Sequence, residues 1–156
     1  MQLYGWLSSS DSKLYDPMLH RMVHKIMRKV FLQLLVRLDK LGCKVVHADF
    51  QKLILTTDKR SYDDARTHID FVLSQIKNED MFRHLDCTAG EFWQILLWKD
   101  SFNYAGIPES NPDKMSLHFN VIDHLPSAVR NKFKMTVVRL LTEVLKENRK
   151  LDREPI

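Results

Sequence analysis

Asp49 is the residue whose type and setting come nearest to chemistry. It stands between two short runs, Val45-Val46-His47 and Phe50-Gln51-Lys52-Leu53-Ile54-Leu55, rich in β-branched and large apolar residues. Such runs around a short break predict a tight β-hairpin, and the turn at Ala48-Asp49 would lift the carboxylate to its tip. A pair of carboxylates so placed can hold two divalent cations, which clamp the attacking and leaving oxygens of a phosphoryl transfer. Here the second position is Gln51, a neutral amide without the negative charge magnesium favours, and Lys52 adds a positive charge beside it. The expectation is therefore no bound metal, no cofactor and no catalytic residue, with Asp49 a lone acid.

Other chemistry-bearing residues are sparser still. His20 and His24 are four apart, a spacing able to share a metal, but no acid or third ligand is near them in sequence, and they read as surface histidines. Asp58, Asp63 and Asp64 fall in a loop and a helix start, where capping and the helix dipole account for them. Cys43 and Cys87 lack CxxC or paired-histidine spacing, so neither a zinc knuckle nor a disulfide framework is expected. Phe92, Trp93, Trp98 and Phe102 resemble a base-stacking platform only superficially. No Lys or Arg is interleaved before Lys99, and a core role is the simpler reading. Two sets of cations are candidate contacts for nucleic acid or protein: Arg21, Lys25 and Arg28, and the later Arg130, Lys132 and Lys134.

These residues need elements to position them. Asp16-Pro17 is a helix start, since the carboxylate caps free N–H groups and proline has none to lose. Leu19, Met22, Val23, Ile26, Met27, Val30, Leu34, Leu38 and Leu41 then recur at helical spacing up to Gly42, predicting one long helix with a single buried side. After the hairpin, Ser61 with Asp64 is a weak capping box opening a second helix through Ala65, Ile69, Val72, Leu73 and Ile76. Phe82 to Cys87 and Phe92 to Trp98 predict two more strands, joined with the hairpin in one sheet. Residues 101–114, with a glycine and two prolines, predict a loop, and 117–122 a short extended segment. From Ser127, Phe133, Val137, Leu140, Leu141, Val144 and Leu145 mark a third helix, ahead of a polar tail.

The hairpin register carries a resemblance. Family B DNA polymerases present metal-binding acids on a palm hairpin written YGDTDS, and the matching register here is His47-Ala48-Asp49-Phe50-Gln51-Lys52. A second pattern of that family, KKRYAG, is met by Ser101-Phe102-Asn103-Tyr104-Ala105-Gly106, which keeps Tyr104 and Gly106 without the lysines that face the primer strand. With the flanking LYDPMLHRMVHKIMRKVFLQLL and FWQILLWKDSFNYAGI, most of the chain resembles the C-terminal, catalytically degenerate polymerase half of the DNA polymerase epsilon catalytic subunit. The resemblance implies an α+β fold: an inactive palm-like antiparallel sheet with packed helices over residues 1–107, then a loop and thumb-like helical segment over 108–156. It implies a non-catalytic scaffold role in the nucleus, with Asp49 vestigial and with Tyr104 and Gly106 kept as structure. The implied partners are the replicative helicase, other regions of that catalytic subunit, and its accessory subunit.

Composition sets the outer bounds. A chain of 156 residues, 44% hydrophobic and 28% charged, suffices for one ordinary core. A net charge of +4 permits contact with nucleic acid or an acidic protein without requiring it, so direct DNA binding is expected to be weak or absent. No run approaches a membrane span, the amino end lacks a secretory pattern, and two scattered cysteines fit a reducing compartment. A nucleic-acid-binding module using the basic helix faces and a residual nucleotidyltransferase palm are the rival readings.

Overall fold

The computed structural model describes residues 2–151. The chain divides into two compact units, Met1–Ala89 and Gly90–Ile156. Helices and strands mix in both, as the pattern predicts, but the strands form two small antiparallel sheets in place of the single expected sheet.

In the first unit, α1 (Gln2–Ser8) precedes α2 (Pro17–Lys40), β1 (Lys44–Ala48), β2 (Leu53–Thr56) and α3 (Tyr62–Lys77). Asp16 caps α2 as expected, its Oδ1 accepting from the N–H groups of Met18 at 2.9 Å and Leu19 at 3.0 Å. At the other end Gly42 takes a φ of +83°, a left-handed conformation that disfavours a Cβ and turns the chain into β1. Ser61 stands at the N-cap of α3 without a side-chain cap bond; Asp63 and Asp64 in the first turn meet the positive end of the helix instead. Leu34 and Leu38 of α2, Cys43, Val72 and Ile76 of α3, and Phe82 form the core, with Leu53 and Leu55 of β2 packed against it.

Two expectations fail in this unit. Phe82–Cys87 is not a strand: residues 81–84 are turn, and Phe82 is buried as a plug in the core. The long helix is not buried along its whole apolar stripe. Only its second half reaches the core, and Ile26 is 62% exposed. The short helix α1, which the sequence did not announce, covers part of the first half: the Tyr4 ring lies 4.5 Å from the His20 ring, and Tyr4 Oη and His24 Nδ1 are hydrogen-bonded at 2.8 Å. Both histidines thus contact the tyrosine; His24 is exposed, as expected of a surface histidine, and His20 is half-buried.

In the second unit, β3 (Trp93–Asp100), β4 (Asn103–Pro108) and β5 (Ser116–Phe119) form a sheet with β4 in the middle. A short 3-10 helix (Asn120–His124) and α4 (Ser127–Leu151) follow. Ala105 of β4 with Val137 and Leu141 of α4 makes the core, flanked by Ile95, Leu117, Phe119 and Phe133. Residues 103–108 of the expected 101–114 loop are therefore the central strand. Its loop-like composition misleads because Gly106 answers a packing need: a Cβ there would come within 2.6 Å of the Ile95 carbonyl oxygen and 2.7 Å of the Trp93 ring. Among the described residues no helix is long and apolar enough to cross a membrane.

Candidate functional site

β1 and β2 pair antiparallel, with Ala48 opposite Leu53 and His47 opposite Ile54, so the turn is residues 49–52 and not Ala48-Asp49: Phe50, Gln51 and Lys52 lie in it instead of in the strand, and Asp49 begins it instead of standing at its tip. The Asp49 side chain folds back onto its own turn. Oδ1 accepts from the backbone N–H groups of Gln51 and Lys52, each at 2.7 Å, and the Asp49 N–H donates to the Lys52 carbonyl at 2.9 Å. Oδ2 lies 3.1 Å from His47 Nε2. This is the Asx-turn use of an aspartate, in which the side chain replaces a backbone acceptor. The carboxyl is held below its ordinary value of 3.8, chiefly by the Gln51 N–H; partial burial opposes that shift, and the His47 ring and the Lys52 N–H add to it. One oxygen is thus occupied by two donors and the other faces an imidazole. Among the described residues no three His, Cys, Asp or Glu side chains gather in a way that could hold a metal ion.

The Ser101–Gly106 stretch is the β3–β4 turn and the start of β4. Asp100 Oδ1 accepts from the Phe102 N–H at 2.8 Å, and the Asn103 amide donates to both oxygens of Asp100 at 3.0 and 3.1 Å. Asn103 Oδ1 in turn accepts from the Val121 N–H at 3.2 Å, tying the turn to the 3-10 helix. Asn103 was not singled out by sequence reasoning. It stands where the resemblance expects a cation, and an uncharged amide before Tyr104 was the available signal. Hydrogen bonds to Asp100 lower its carboxyl, the Phe102 N–H most and the Asn103 amide next.

Tyr104 sits in a row of rings across the sheet. Trp98, Tyr104 and His118 are partners in the β3-β4-β5 register, with Trp98 to Tyr104 at 5.4 Å and Tyr104 to His118 stacked at 4.7 Å; Trp93 meets Tyr104 edge-on at 6.2 Å. Phe102, grouped with the tryptophans on sequence, is instead a 66% exposed turn residue. His118 was missed because its place in the row depends on a strand pairing invisible in local sequence.

The cations are placed differently from one another. Arg21, Lys25 and Arg28 are exposed on α2. In the other unit Arg130 is used within the fold, donating from Nε to the Leu125 carbonyl at 2.9 Å and from Nη2 to the Asp123 carbonyl at 3.1 Å. Lys132 and Lys134 are exposed, and their two-residue spacing on α4 turns them to different sides.

Comparison with known proteins gives the chain its relatives. Residues 1–107 match the family model described as a domain of unknown function, DUF1744. The chain is 36% identical over 152 residues to a DNA polymerase epsilon catalytic subunit of Schizosaccharomyces pombe, covering 93% of this chain and 7% of that protein. Against a DNA polymerase epsilon catalytic subunit of Arabidopsis thaliana it is 35% identical, covering 99% of this chain and 8% of that one. Against that of Dictyostelium discoideum it is 41% identical, covering 72% and 5%. The chain thus spans less than a tenth of the length of these relatives. With the family model matching through residue 107, the chain belongs to the DUF1744 family and is homologous to a short part of DNA polymerase epsilon catalytic subunits.

Proposed function

We propose that this chain is a non-catalytic, structural piece of a leading-strand replicative polymerase of the epsilon type, from the degenerate half of its catalytic subunit. In this reading the β1–β2 hairpin descends from a palm metal motif, the helix α4 corresponds to the start of a thumb, and the piece works in the nucleus. Its contacts are with the replicative helicase, the rest of that subunit, and its accessory subunit.

The observation that carries the proposal is the occupation of Asp49. A metal-binding acid must turn its lone pairs to the ion, whereas Asp49 Oδ1 accepts two backbone N–H groups of its own turn and Gln51 supplies no second charge. The hairpin keeps the shape of a metal motif while its carboxylate serves the turn. Manganese titration followed by paramagnetic broadening tests this. Broadening spread thinly over surface acids is expected. Broadening centred on Asp49 at micromolar metal and lost in Asp49→Asn would return the hairpin to catalysis.

A second reading keeps one observation in its favour: α2 exposes Arg21, Lys25, Arg28 and Lys29 with no acid between Pro17 and Leu38. Such a face can track phosphates, and binding that falls steeply with salt is its signature.

A further inference from the structure

The outward side of α2 combines two features that a solvated helix face does not need together. Met18, Met22 and Ile26 follow one another at four-residue spacing and are 66%, 59% and 62% exposed; Leu32 and Val36 continue the apolar character at 49% and 50%. Residues four apart on a helix are neighbours, so the first three make a continuous row. Lys25 and Lys29, both exposed, stand between and beside that row, with Arg21 and Arg28 on its flank. Scattered exposed apolar residues are ordinary, but a row of large ones along a helix marks an interaction surface.

We propose that this face docks an acidic amphipathic helix of a partner protein, one presenting an apolar stripe edged by Asp and Glu. The inference rests on the structural role proposed above and gives it a surface and a partner chemistry. Charge selects the occupant's sign: Arg21, Lys25, Arg28 and Lys29 are exposed with no acid between Pro17 and Leu38, and an acidic partner neutralises them. The apolar row selects its class. Phosphates satisfy lysines and arginines but leave Met18, Met22 and Ile26 in water, whereas an amphipathic helix covers them with its own apolar residues. A second copy of this chain fits poorly, because pairing two α2 faces sets cations against cations.

The test uses the 156-residue chain and a synthetic acidic helical peptide of about 25 residues, with Leu at three- and four-residue spacing and Glu on both edges of that stripe. A scrambled peptide of the same composition, duplex DNA and vesicles of anionic phospholipid are run beside it. The ordered peptide should bind at least about tenfold more tightly than the scrambled one. Met22→Ser/Ile26→Ser and Arg21→Glu/Lys25→Glu/Lys29→Glu should each weaken it about tenfold or more, with circular dichroism and melting unchanged because these side chains are exposed. The proposal is overturned if the peptide fails to bind, or binds equally well without Met22 and Ile26. It is also overturned if DNA or vesicles bind more tightly than the peptide, or if sedimentation shows self-association through the same residues. None of these outcomes bears on Asp49, so the non-catalytic reading stands or falls separately by the manganese titration.

Discussion

At the scale of single residues, Asp49 and Gly106 each serve the fold directly, one as the acceptor of its own turn and the other by leaving room for Ile95 and Trp93. Asp49→Asn keeps an oxygen for the Gln51 and Lys52 N–H groups but loses the charge, so the melting temperature at neutral pH should fall less than in Asp49→Ala, which loses the turn's acceptor and should cost about 1 kcal/mol by chemical denaturation. A metal ligand would show the reverse sensitivity to the loss of charge. The same carboxyl makes stability depend on pH. Its folded value lies below 3.8, so as acid is added the unfolded chain takes up the proton first. The contribution is complete above about pH 5 and is lost as pH falls through the folded value. Thermal melts from pH 6 to 3 should therefore decline less in Asp49→Asn than in the wild type. Gly106→Ala meets a backbone carbonyl, which yields less readily than a side-chain tip, and a loss of about 1–3 kcal/mol is the expected result of a denaturant melt.

At the scale of elements, periodicity revealed what lies along one chain segment and missed what depends on a second. The starts of α2 and α4 were legible, from Asp16-Pro17 and from the apolar spacing after Ser127, and so was the β1–β2 hairpin, though not the extent of its turn, because Phe50 reads as a strand residue by type. What periodicity could not say was which apolar residues find cover. Ile26 and Leu38 belong to the same helical pattern, yet only Leu38 meets α3 residues and Phe82 in a core. Leu38→Ala should accordingly cost about 2–5 kcal/mol and Ile26→Ala no more than about 0.5, a contrast that paired urea melts resolve. β4 was hidden for the opposite reason. Asn103, Gly106 and Pro108 are turn-formers by composition, but here Asn103 brackets the turn, Gly106 makes room for Trp93, and Pro108 closes the strand. The ring row of Trp98, Tyr104 and His118 likewise exists only once three strands are in register.

At the scale of the whole molecule, a net charge of +4 is small and part of the cationic set is already used, Arg130 by backbone carbonyls and Arg37 by Glu79. Affinity for primer-template DNA at physiological salt should lie in the non-specific range, on the order of 10⁻⁴–10⁻⁶ M, and anisotropy titrations at several salt concentrations would measure it; nanomolar binding would favour the nucleic-acid reading. The order β3-β4-β5 bears on how the molecule can be cut. The family match stops at residue 107, within the central strand and ahead of β5 and α4. A truncation there would strip β4 of its hydrogen-bonded neighbour and uncover Ile95 and Ala105, leaving a two-stranded ribbon with an open apolar edge. Such edges recruit one another, so the shortened protein should scatter light and precipitate at concentrations where the longer chain stays clear.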